Sequence, residues 1–108
     1  MKTDTRENWL LELTAQGYLH LPAPVAQRYF PADLLVALPH TDEIWLAPLR
    51  GPAAGGLLLK QRNARGDRSV LIWEMLPPNT PPGPRRAIWD EERGVLRMTL
   101  QPEPEQRV

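Results

Sequence analysis

LLLKQRNARGDRSVLIWEML, residues 57–76, has two apolar arms around a polar tip. Leu57–Leu59 leads through Lys60-Gln61-Arg62 into Asn63-Ala64-Arg65-Gly66-Asp67, and the chain returns through Arg68 into the run Val70–Leu76. A glycine-bearing polar segment between two such arms predicts a β-hairpin. Gly66 supplies the positive φ that a bulged turn needs. In the returning arm Ser69, Leu71, Trp73 and Met75 alternate with Val70 and Ile72. Both faces of that strand are apolar near its base, which predicts a central strand or one at a packed interface.

Lys60, Arg62, Arg65 and Arg68 crowd the tip, opposed locally only by Asp67. Charge at a hairpin end has an ordinary role, keeping a sheet soluble and guarding it against aggregation. The functional reading is a partner or anion site for phosphate, nucleic acid or a carboxylate-rich protein surface. Arg65-Gly66-Asp67 also spells an integrin-ligand tripeptide, a reading that needs secretion.

Outward from this hairpin the chain reads as more of the same. Leu34–Leu38 and Ile44–Ala47 are two predicted strands joined by the loop Pro39–Glu43. Ala87–Trp89 and Val95–Leu100 form a last hairpin across the turn Asp90–Gly94, with Leu96, Met98 and Leu100 on one face. Leu19 and Leu21 alternate with Tyr18 and His20, a short strand ending at Pro22. Two helices are expected before these hairpins. The first covers residues 4–16, with Asp4 and Glu7 as a capping box, Trp9, Leu10 and Leu13 on one face, and Gly17 ending it. The second runs from Pro24 to Phe30, where Pro31 stops it. Pro48–Gly56 is a connector, and Pro77–Pro84, with five prolines, an extended polyproline-like one. The expected fold is therefore mainly β, a small α+β domain with about six or seven short antiparallel strands in hairpins and two short N-terminal helices. It occupies residues 1–100 as one domain, with 101–108 as a flexible tail.

Length and composition agree with a single small core. The chain has 108 residues, 42% of them hydrophobic, and thirteen prolines oppose long helices. No cysteine is present, which excludes disulfides, thiolate nucleophiles and thiolate metal sites. The N-terminal stretch Met1–Asn8 is polar, without the apolar core of a signal peptide, and no segment reaches the ~18 apolar residues of a membrane span. A cytoplasmic protein without membrane contact is expected. The net charge is zero, but residues 1–46 carry three cations against six anions and residues 47–108 carry ten against seven. Bulk attraction to nucleic acid is not implied; a local patch is.

The residues of catalysis are sparse. Ser69 is the only serine and has no glycine elbow beside it. His20 and His40 lack a metal-like spacing, and each reads as an exposed strand or loop residue. Asp90-Glu91-Glu92 fits a solvated turn better than a cation site. Gly51–Gly56 lacks the lysine and hydroxyl of a phosphate loop. No catalytic residue, metal or cofactor is expected. The tryptophans are more informative. Trp45, Trp73 and Trp89 lie in predicted strands near Glu43, Glu74 and Asp90. Two of the three are expected to pack and the third to form an aromatic contact surface. Arg85 and Arg86 would flank that surface or stand solvated.

Gly17-Tyr18-Leu19-His20-Leu21-Pro22, then Val25 and Arg28, then Asp33-Leu34-Leu35-Val36 resembles the AbrB-like swapped-hairpin pattern, over about Gly17–Ala37. The resemblance implies an intertwined dimer that binds DNA. The residues themselves point first to a non-catalytic accessory module. It would bind another protein through its sheet surface, an edge strand and the cationic loop, and a homodimer is expected through exchange of the last hairpin. The alternative is an AbrB-like dimeric DNA-binding regulator holding phosphates with Arg62, Arg65, Arg68 and Arg28.

Overall fold

In a computed structural model, which describes residues 8–104, one antiparallel sheet curls into a nearly closed barrel. Its strands are β1 (Asn8–Leu13), β2 (Tyr18–Leu21), β3 (Leu34–Pro39), β4 (Glu43–Pro48), β5 (Leu57–Leu58), β6 (Lys60–Gln61), β7 (Arg68–Leu71), β8 (Gly83–Asp90) and β9 (Val95–Thr99). One α-helix, α1 (Ala23–Tyr29), and one 3-10 turn, Trp73–Met75, complete the described elements. The order across the sheet is β5-β3-β4-β9-β8-β1-β2-β7-β6.

Nine strands and one helix correct the expectation of six or seven strands and two helices. Residues 8–13 of the expected first helix are β1; the capping residues Asp4 and Glu7 lie outside the described residues, as do 105–108. Leu11 and Leu13 are buried while Leu10 and Glu12 are exposed, a period of two rather than a helical stripe. Gly17 does take a positive φ of 91°, but in the tight turn joining β1 to β2, where Thr14 and Tyr18 close the loop through the Thr14 amide. A hairpin and a helix end both call for a left-handed glycine, so that signal could not separate them. The other corrected stretch is 70–76. Val70 and Ile72 are buried, Leu71 is exposed, and β7 stops there, so Trp73 lies in the 3-10 turn instead of a strand.

The expected hairpins at 34–47 and 87–100 form as β3–β4 and β8–β9, with Leu38 opposite Trp45 and Trp89 opposite Leu96. The second expected helix forms as α1 and ends before Pro31.

Closure depends on residues 57–61. β5 pairs with β3 at one end of the sheet and β6 pairs with β7 at the other, yet only Leu59 separates them in the chain. Leu59 is buried, and its amide donates to the Asp33 carbonyl at 2.8 Å. Asp33 takes φ 59°, a left-handed conformation that aspartate tolerates better than most residues, and its carboxylate accepts from Arg68 Nε at 2.9 Å. One residue thus clasps both margins of the sheet.

Leucines of β1–β4 meet Ile44, Val70, Ile72, Leu96 and Met98 inside. Each fully buried side chain of this size contributes roughly 1.5–3 kcal/mol. α1 plugs the barrel with Val25, Tyr29 and Phe30, and Tyr29 stacks on Trp89 at 4.3 Å and meets Trp9 edge-on. β1 runs from Asn8 opposite Ile88 at this end to Leu13 opposite Gly83 at the other. Toward that second end lies Arg85, fully buried, donating to the carbonyls of Leu100, Gly83 and Pro81. Burial lowers its pKa, against the pull of Glu12, but a guanidinium stays charged in proteins. Carbonyl dipoles take the place that water would have around a free arginine. Among the described residues no helix is long and apolar enough to cross a membrane.

Candidate functional site

The cationic tip is built from its own polar side chains. Asn63 Nδ2 donates to Asp67 Oδ2, and the Asp67 amide donates back to Asn63 Oδ1. Gly66, with φ 97°, turns the chain between them. Asp67 Oδ1 also accepts the Ala23 amide at 2.8 Å, so the hairpin caps the N-terminus of α1 from a remote part of the chain. These hydrogen bonds, from Asn63 foremost and then Ala23, hold the Asp67 carboxyl below its usual range. The aspartate of Arg65-Gly66-Asp67 is committed inside the fold.

The four sequence-predicted cations therefore separate into two pairs. Arg65 bonds Asp67 at 3.2 Å, and Arg68 bonds Asp33 and the Gly66 carbonyl. Lys60 and Arg62 are exposed and make no ion pair among the described residues. They stand on the outer face of β2, β7 and β6. Leu19, Leu21 and Val70 point inward, so Tyr18, His20, Ser69 and Leu71 point out. Register sets Tyr18 opposite Leu71, His20 opposite Ser69, and Ser69 opposite Lys60. Tyr18 is 43% exposed and Leu71 46%. Partial burial and then the Arg62 charge lower the His20 pKa, against Glu12, which favours the neutral imidazole.

Trp73 follows just beyond the end of β7, two residues past the Tyr18–Leu71 pair. It is 60% exposed, and its backbone lies against Gly17, where an added Cβ would stand 2.8 Å from Trp73 Cβ. The indole, Thr14, Gly17, Leu76, Pro78 and Thr80 border a groove of about 550 Å³. Sequence reasoning did not single out Tyr18 and Leu71, although the alternation with Leu19, Leu21 and Val70 carried the signal.

The other two tryptophans differ. Trp89 is held by the Tyr29 stack. Trp45, on the outer face of β4, donates to Glu43 Oε1 at 2.8 Å and stacks on His40 at 3.8 Å. Arg93 and Arg97 lie over the Trp45 ring and pair with Asp90, and Arg97 also pairs with Glu43. Burial alone would raise the Glu43 pKa; hydrogen bonds from Arg97 and Trp45 outweigh it and hold the carboxyl low. Every charge in that cluster has a local partner. Arg86, next to buried Arg85, pairs with Glu103 at 2.6 Å. Among the described residues no group of three or more His, Cys, Asp or Glu side chains could hold a metal ion.

No protein-family model matches the sequence, and neither a curated protein nor a solved structure matches it.

Proposed function

We propose that the protein is a non-catalytic binding module that holds a segment of another protein on the outer face of β2, β7 and β6. One observation carries the reading. Lys60 and Arg62, which make no ion pair among the described residues, share this face with the exposed side chains of Tyr18 and Leu71, and exposed Trp73 follows just beyond β7. Large apolar side chains left in water beside free charges are characteristic of a contact surface. The reading keeps Lys60, Arg62 and Trp73 from the sequence-based site and gives Arg65, Arg68, Trp45 and Trp89 structural duties instead. Strand addition is not part of it, since the terminal strands β5 and β6 are two residues each and belong to one continuous segment.

A dimeric DNA-binding regulator is the competing proposal. It would use the same two free cations, and the commitment of Arg65 and Arg68 to Asp67 and Asp33 leaves few phosphate contacts. A random-peptide display selection, with short duplex DNA titrated in parallel, tests both. Enriched peptides whose binding is lost in the Lys60→Glu/Arg62→Glu variant support the protein-binding reading. Duplex binding that collapses with salt, with no enriched peptide, replaces it by the regulator.

A further inference from the structure

The open face is rich in hydrogen-bond donors and poor in partners for them. Among the described residues the Trp73 indole N–H, the Tyr18 hydroxyl, the Lys60 ammonium and the Arg62 guanidinium find no protein acceptor. A ligand for this face must bring acceptors: carboxylates at one end and carbonyls along the rest.

Charge gives the face a direction. Lys60 and Arg62 lie at its β6 margin, whereas Glu74 borders the Trp73 groove. A carboxylate is attracted at the first place and repelled at the second. The groove, with an exposed indole beside Pro78, suits an apolar segment that offers rings and carbonyls but no amide donors. Proline in a polyproline II conformation has that chemistry and lies ready-extended against aromatic side chains. Spacing adds a third constraint. Lys60 stands opposite Ser69, four positions before Trp73. β7 ends at Leu71 and Trp73 opens the 3-10 turn, so strand rise sets roughly 13 Å as the most that can separate Ser69 from Trp73, a length an extended polyproline segment covers in about four residues. A nucleic acid fits less well, because a regular row of phosphates would meet both Glu12 and Glu74.

We infer that the ligand is an extended peptide with acidic residues over Lys60 and Arg62 and, about four residues away, a proline-containing apolar segment in the Trp73 groove. The inference rests on the proposed binding face. The test uses the full chain and three fluorescein-labelled peptides: three acidic residues joined through two alanines to Pro-Leu-Pro, the acidic block alone, and the Pro-Leu-Pro block alone. Anisotropy is expected to show the joined peptide binding at least tenfold tighter than either block. Trp73→Ala should reduce it to the level of the acidic block, and Lys60→Glu/Arg62→Glu should abolish it. A joined peptide no tighter than the acidic block, and unaffected by Trp73→Ala, overturns the inference. If Lys60→Glu/Arg62→Glu still weakens that binding, the face stands without the groove. Absence of binding by all three peptides overturns the inference, while the display selection decides the face separately.

Discussion

On the wall formed by β4, β9 and β8, Glu43 and Asp90 bind Arg97 and Arg93, and both arginines cover Trp45. On the wall formed by β2, β7 and β6, Lys60 and Arg62 have no such partners among the described residues, and Tyr18, Leu71 and, just beyond β7, Trp73 face water. The two walls share one sheet, one alternation and one core. They differ in whether cross-strand neighbours complement one another. Trp45 stands opposite Arg97, so a cation reaches the indole face, whereas Leu71 stands opposite Tyr18, with no charge between them. Surface tryptophan and arginine are therefore not by themselves signs of a binding site; what they already touch decides.

The largest expected test of this contrast uses its tryptophans. Trp89→Ala removes an indole stacked on the helix that plugs the barrel, and should cost about 3 kcal/mol in urea unfolding. Trp73→Ala should cost less than ~0.5 kcal/mol, since most of that ring is already in water. Equal losses would remove the distinction. Gly17→Ala comes next: a positive φ and a contact with Trp73 at 2.8 Å combine to an expected loss of about 2 kcal/mol, with a changed Trp73 emission spectrum.

Charge substitutions should separate the walls in opposite senses. Lys60→Glu/Arg62→Glu is expected to abolish peptide binding while melting temperature stays constant. Arg97→Ala should leave affinity unchanged and lower the melting temperature by about 2 °C, an ordinary size for a surface network. The smallest effect is in acid. The Glu43 carboxyl is depressed in the folded state, so its contribution is full above its unfolded value of about 4.5 and is lost as pH falls through the lower folded value. Trp45 fluorescence should report that loss, worth under ~1 kcal/mol, and Glu43→Gln should flatten the profile.

Much of this molecule can be read in its sequence where the determinants are local. The β3–β4 and β8–β9 hairpins carry their turns and alternation within a few residues, and α1 has Pro24 in its first turn and Pro31 just past its end. β1 was ambiguous because Trp9, Leu10 and Leu13 satisfy a helical stripe, while Leu11 and Leu13 satisfy a strand; pairing with β2 and β8 selects the strand. Closure was not legible, because two short ladders on either side of Leu59 join strands distant in the chain. The division of the four cations followed from the same long-range geometry. Arg68 finds Asp33 only once the barrel has curled, whereas Arg65 and Asp67 are near neighbours. Arg85 reads as an ordinary surface cation, and only the carbonyls gathered around it reveal its burial.

The short joint at Leu59 also has a dynamic meaning. A barrel stoppered at one end by a helix and packed at the other around an arginine has its lowest-cost opening along its side, where β5 and β6 hold only two residues each. Detaching Leu57–Gln61 breaks two brief ladders and leaves the long β1–β8 pairing intact. The interior is then expected to exchange with solvent by local unzipping along that line, below the free energy of global unfolding, which native-state amide exchange would check. Because Lys60 rides on the segment that detaches, a ligand gripping it would act as a rivet, slowing amide exchange deep in the barrel without touching the core.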